Sequence, residues 1–255
     1  MNDLTQPSLN LDVKQDASLS DFNSQGYAPV LNAIRELGLG NLRELFIIGD
    51  YGFGKTHLAA AIYRNYTQTY HKTAITLALG DIIDTDEDAS ALVGLEMFDL
   101  VIIDDLHFIH RSREWQEGLF HLINRIREQN KQMIFLAAAP ARELEIGLLD
   151  LVTRLSLAPT FRLPTNENIE DRQALLSSVL KRKHWRLPEQ IFDYMLTNGP
   201  RNAGDMIQVL DKISPLLTHL SRVQVPKKTI DEAKTIISKE TFLLEISEHK
   251  MTTTP

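Results

Sequence analysis

Eight consecutive residues constrain this chain more than any others: Gly49-Asp50-Tyr51-Gly52-Phe53-Gly54-Lys55-Thr56. They fit G-x-x-x-x-G-K-[ST] at every fixed position. The apolar run Leu45-Phe46-Ile47-Ile48 precedes them and reads as a buried parallel strand. Residues 56–70 follow and read as a helix. Strand, glycine-rich turn and helix together predict a phosphate-binding loop. Gly49, Gly52 and Gly54 let the backbone curl so that successive N–H groups face inward. The helix N-terminus adds partial positive charge. In such a loop Lys55 reaches the β- and γ-phosphates of a nucleotide, and the Thr56 hydroxyl ligates Mg²⁺. Tyr51, Phe53 and His57 complete the nucleotide-binding candidates.

A second signal lies at Leu100-Val101-Ile102-Ile103-Asp104-Asp105, where an apolar strand ends in two carboxylates. At the carboxyl end of a strand beside the P-loop strand, Asp104 can hold Mg²⁺ through water. Asp105 can polarise an attacking water. The alternative is an Asp pair that merely caps the next helix. Apolar runs at 45–48, 100–103 and 133–137 and an alternating, strand-like stretch at 73–79 are interleaved with helical patterns at 27–37, 56–70 and 113–129, the last with Trp115, Leu119, Leu122, Ile123 and Ile126 on one face. This alternation predicts a parallel α/β sheet flanked by helices. Residues 81–95 read as loop and helix with an acidic run at Asp84, Asp86, Glu87 and Asp88. Beyond Leu163 the patterns are helical only, at about 167–182, 188–197, 203–220 and 227–238, punctuated by Pro164, Pro188, Gly199-Pro200 and Pro226. The expected organisation is a flexible tail at 1–18, a nucleotide-binding α/β domain at 19–163, a small all-helical domain at 164–240 and a C-terminal tail at 241–255.

Composition removes other classes. The 255 residues include no Cys, which excludes a disulfide scaffold, a thiolate metal site and a thiol nucleophile. The eight His show no ligand spacing, so Mg²⁺ is the one metal expected. No apolar run approaches the ~20 residues that span a bilayer. The polar, acidic N-terminus does not read as a targeting signal, and the expected location is the cytoplasm. The net charge of −7 makes the chain a poor candidate for coating DNA. That acidity sits in the first half, while the second half is near neutral and carries Lys181-Arg182-Lys183 and Arg186.

Gly54-Lys55-Thr56-His57-Leu58 and Asp104-Asp105-Leu106-His107-Phe108 resemble the AAA+ module of the bacterial initiator DnaA and its close relatives, over about residues 19–238. The resemblance implies a P-loop AAA+ sheet followed by a helical lid domain. The chain stops at Pro255 without the helix-turn-helix domain of an initiator. Its Gln6-Pro7-Ser8-Leu9-Asn10-Leu11 is similar to a sliding-clamp-binding peptide, with Gln6, Leu9 and Leu11 retained and Pro7 and Asn10 departing. A clamp-binding tail on a lone DnaA-like module resembles the Hda-type regulatory inactivators. By that resemblance Arg154 is an arginine finger acting in trans, and Arg201 falls at the sensor-2 place of the lid. The base would lie near Phe22 to Tyr27. Ala138 stands where the family has a polar sensor-1 residue, which counts against intrinsic ATP hydrolysis. The implied function is negative regulation of replication initiation. The chain would hold ADP or ATP, bind the DNA polymerase III sliding clamp, reach DNA only through it, and stimulate ATP hydrolysis on DnaA. It could also self-associate. Two alternatives stay open: a self-sufficient ATPase acting as helicase loader or transposition helper, and a nucleotide-stabilised clamp adaptor.

Overall fold

The structure, a computed structural model, describes residues 17–83, 88–217 and 225–251. Gln6, Leu9 and Leu11 lie outside the described residues, as do Asp84, Asp86 and Glu87. Five strands form one parallel sheet: β1 (Glu44–Ile48), β2 (Ala74–Ala78), β3 (Leu100–Asp104), β4 (Gln132–Ala137) and β5 (Thr160–Arg162), in the order β2-β3-β4-β1-β5. α1 (Ala28–Leu39) precedes β1, and α2 (Lys55–Thr69), α3 (Leu79–Ile83), α4 (Arg113–Glu128) and α5 (Leu149–Ser156) run between the strands. Four further helices follow the sheet: α6 (Ile169–Lys183), α7 (Glu189–Asn198), α8 (Ala203–Leu217) and α9 (Lys227–Met251).

The continuous apolar runs of β1, β3 and β4 follow from burial on both faces. Successive strand residues point to opposite sides. In β1, Phe46 and Ile48 enter the core beneath α4 and α5, while Leu45 and Ile47 enter the core beneath α1 and α2. β4 divides likewise, with Met133 and Phe135 on the first side and Ile134 and Leu136 on the second. The expected α4 face (Trp115, Leu119, Leu122, Ile123, Ile126) is buried in the first core. A third, separate core of Leu176, Ile191, Met195, Met206, Val209 and Ala233 lies among α6 to α9. The P-loop helix and α5 therefore sit on opposite faces of one sheet.

Several boundaries differ from expectation. β5 has three residues, two of them polar, at the sheet edge, so it leaves no apolar run to read. The expected pattern does not include α5, and in the stretch expected as loop and helix residues 81–83 end α3 while 89–92 and 95–97 form short 3₁₀ turns. The tail expected at 241–255 is helical through Met251. Thr241 is buried and Leu244 packs on the lid core, so the lid supports α9 beyond the 227–238 pattern. At the other end, Ala17 is fully buried and Ser18 caps the turn Leu19–Asp21, so part of the expected tail belongs to the fold.

Candidate nucleotide-binding site

The strand order brings the two motifs to one edge. β1 ends in the P-loop, β3 ends at Asp104, and β4 lies between them. Ligands of open α/β sheets bind at this carboxyl edge. Gly49 leaves the sheet with its N–H still donating to the Ala137 carbonyl. Ala138 follows at the tip of β4, so the position between the two motifs carries only a methyl group.

Within the loop, Gly52 and Gly54 both take left-handed conformations, with φ of 78° and 87°. Gly54 precedes the first residue of α2, and an L side chain there would be strained. Tyr51 is almost fully exposed, Thr56 is exposed, and Phe53 and His57 are half-buried. Lys55 is buried and folds back over the loop. Its Nζ donates to the carbonyls of Gly49 at 2.8 Å and Asp50 at 3.1 Å. Burial pulls its ammonium below the ordinary lysine range, while Asp105, Asp104 and Asp50 act in the opposite direction.

Asp104 is 1% exposed. Its Oδ1 accepts the Asp105 N–H at 2.9 Å, and its Oδ2 is buried with no hydrogen-bond partner. Burial first, and then the charge of Asp105, push its carboxyl up to about 6; Thr56, the Asp105 N–H and Lys55 act the other way. A buried, unpartnered carboxylate oxygen beside a threonine hydroxyl and a phosphate loop fits a divalent cation. Thr56 and Asp104, the predicted Mg²⁺ pair, are thus brought together. Asp105 takes a left-handed φ of 52°, unusual for a non-glycine residue and typical of functional turns. Its carboxylate turns toward His107, with 4.0 Å from Oδ1 to Nδ1. Among the described residues no cluster of three or more His, Asp or Glu offers another metal site.

The lid meets the P-loop directly. Ala203 and Gly204 N–H groups donate to the Gly52 carbonyl at 3.0 and 3.4 Å. Arg201 does not make this contact: its side chain is exposed, and its backbone carbonyl accepts from Asn166 at 3.0 Å. Its charge acts on Arg172, whose Nη2 holds the Gly199 carbonyl at 2.8 Å. A second bridge joins three parts of the chain. Arg182 Nη1 lies 3.0 Å from His57 Nδ1 and 3.2 Å from Nε2, and Nε2 lies 2.8 Å from the Asp21 carboxylate. Phe22 and Tyr27 are buried and lie edge to face at 5.2 Å, with the His57 ring 5.5 Å from Phe22. Both rings belong to the core beneath α1 and α2. Sequence reasoning missed Asp21, Asn166, Arg172 and Asn202 because each acts through a distant partner and none lies in a fixed-spacing motif.

Arg154 stands apart from this site. It lies on α5, across the sheet from α2, with its guanidinium 5.7 Å from the Phe120 ring. It forms no ion pair with a carboxylate among the described residues. Its carbonyl accepts from Arg127, which grips Glu44 of β1 through two hydrogen bonds of 2.5 and 2.7 Å. Leu149 and Leu157, at the two ends of α5, are 76% and 66% exposed.

A P-loop and a strand-terminal carboxylate at one sheet edge, covered by a four-helix lid, define an AAA+-type nucleotide-binding protein. Residues 22–158, more than half the chain, match the bacterial DnaA ATPase domain, and the chain belongs to that family. It is 28% identical over 194 residues to the chromosomal replication initiator protein DnaA of Treponema denticola, covering 73% of this chain and 40% of that one. It is 27% identical over 198 residues to an uncharacterised protein of Haemophilus influenzae, covering 77% of this chain and 84% of that one. Domain III of Thermotoga maritima DnaA superposes with a TM-score of 0.71 at 22% identity, covering 89% of this chain and 97% of that structure. The chain thus spans well under half the length of the DnaA initiator it matches. No described helix is long and apolar enough to cross a membrane.

Proposed function

We propose that this protein holds an adenine nucleotide at its P-loop and acts on ATP bound to a second ATPase, the DnaA initiator, by supplying Arg154 in trans. The observation that carries this reading is the placement of Arg154. It sits on the sheet face opposite its own P-loop helix, flanked by exposed apolar residues and unneutralised by any described carboxylate. Arg154 is half-buried over the Phe120 ring, and to enter another protein's site it would swing off that ring. Its guanidinium would stabilise the charge that develops on the phosphoryl oxygens during hydrolysis, a contribution typically worth ~10³–10⁵ in rate.

At the chain's own site, the loop N–H groups and Lys55 would bind the phosphates. To do so Lys55 releases the Gly49 and Asp50 carbonyls. Thr56 and Asp104 would hold Mg²⁺, whose charge neutralises the phosphate oxygens. Asp105 is the candidate for orienting water. Ala138 offers no polar group between the motifs, which supports a resting ADP state with weak intrinsic turnover. The Gln6–Leu11 peptide would dock on the sliding clamp as an extended segment with Leu9 and Leu11 as apolar plugs. DNA is then reached through the clamp, in the cytoplasm. In this account the protein is a negative regulator of initiation of the Hda type. The test mixes purified protein, clamp-loaded DNA and ATP-bound DnaA, and follows phosphate release. Stimulation by the parent protein and none by Arg154→Ala supports the proposal; equal rates with both overturn it.

A further inference from the structure

The contact between lid and P-loop is made by a residue with no charge. Asn202 is 5% exposed and precedes α8. Its Oδ1 accepts the Asp205 N–H and its Nδ2 donates to the Asp205 carboxylate, both at 2.8 Å. These two bonds fix the amide plane. The amide is then pressed against Gly52: a Cβ built on that glycine would lie 2.7 Å from Asn202 Cγ and Oδ1. Next in the chain, Ala203 and Gly204 donate to the Gly52 carbonyl. Gly204 itself passes close to the loop, since a Cβ there would lie 3.9 Å from the Gly52 Cα. Glycines on both sides of this crossing let α8 sit backbone against backbone. From behind, Asn166, buried and at a left-handed φ of 54°, holds the Arg201 carbonyl, and Arg172 holds that of Gly199. The turn 199–204 is therefore clamped between the lid hinge and the centre of the phosphate loop.

We infer that Asn202 is a positioning residue for the nucleotide. It fixes the Gly52 peptide with its carbonyl turned to the lid, and so holds the loop in a shape that receives a diphosphate. This rests on the reading of the P-loop as a nucleotide site. It places the lid's contribution in an amide and two backbone N–H groups. A loop held this way costs less to order when the phosphates arrive, so the bound nucleotide leaves slowly. Such retention suits a protein that keeps one nucleotide while acting on another.

The residue also caps α8, and the experiment must separate the two roles. Glycine at the N-cap costs a helix only a few tenths of a kcal/mol relative to asparagine, and it has no side chain to press on Gly52. Asn202→Gly and the parent are titrated with ADP and with AMP by calorimetry, and their thermal unfolding is measured without nucleotide. The expected result is an unfolding temperature close to that of the parent, with the ratio of ADP to AMP affinity reduced about tenfold. An unchanged ratio overturns the inference, whether both affinities are retained or both fall together as a purely structural role would give. Failure of the parent itself to bind ADP overturns instead the nucleotide reading beneath it. Asn202→Ala, which removes cap and wedge together, should lose the same ratio and also unfold at lower temperature; retention of the ratio would count against the inference.

Discussion

Asp104 shows how a residue at the edge of a sheet acquires its chemistry from its neighbours. Burial and the charge of Asp105 raise its carboxyl from the usual 3.8 to about 6, so the folded state holds this proton more tightly than the unfolded chain. Between those two values the folded protein binds more protons, and folding stability falls as pH rises through the window. Asparagine cannot ionise. In solution free of nucleotide and Mg²⁺, Asp104→Asn should therefore be more stable than the parent at pH 7, by on the order of 2–3 kcal/mol, and converge with it near pH 4. Thermal unfolding across pH 4–7 checks this, and parallel curves would contradict it. Mg²⁺ needs the ionised carboxylate, so its affinity should drop as pH falls through about 6. Lys55 behaves differently. Its two bonds to loop carbonyls are exchanged for phosphate contacts, so Lys55→Ala should weaken ADP binding on the order of 100-fold, the ~3 kcal/mol of lost charge-assisted contacts. Calorimetry measures this loss, and near-parent affinity would remove Lys55 from the site.

Among the elements, α5 depends on a link that no motif announces. Arg127 of α4 binds Glu44 of β1 in a fork and caps the Arg154 carbonyl, tying sheet, α4 and α5 together. Glu44 is 9% exposed, so Arg127→Ala leaves a buried carboxylate unpaired and should cost about 2–3 kcal/mol in chemical denaturation. If the proposed action on DnaA holds, Arg127→Ala should also reduce it, because the last turn of α5 loses its support. Motif-bearing elements were legible in the sequence for a physical reason. A P-loop needs glycine at fixed places, and a strand buried on both faces needs an unbroken apolar run, as in Ile102 and Phe135. β5 escaped because an edge strand of Thr160, Phe161 and Arg162 carries no such pattern. The extension of α9 escaped because helicity there rests on lid contacts made by Thr241 and Leu244 rather than on local periodicity. In the site, Lys55, Thr56 and Asp104 were readable from spacing alone. Asp21, Asn166 and Asn202 were not, since their partners His57, Arg201 and Gly52 lie far along the chain.

At the scale of the whole molecule the sheet separates two tasks. Its carboxyl edge, with the lid seated on the loop, is built to hold a nucleotide. Its α4–α5 face carries Arg154 over Phe120, on a helix whose two ends expose Leu149 and Leu157. In the function proposed above, this arginine serves a second ATPase that approaches that face. Nucleotide binding and the trans action should therefore be separable. Arg154→Ala should bind ADP as the parent does while losing its effect on the partner. The measurement that reaches the central claim most directly is phosphate release from ATP-bound DnaA, in the presence of clamp-loaded DNA, with parent or Arg154→Ala protein matched for bound ADP. The account predicts stimulation by the parent and loss of at least ~10³-fold of that stimulation in the variant. Equal stimulation by both, at equal ADP occupancy, would contradict it.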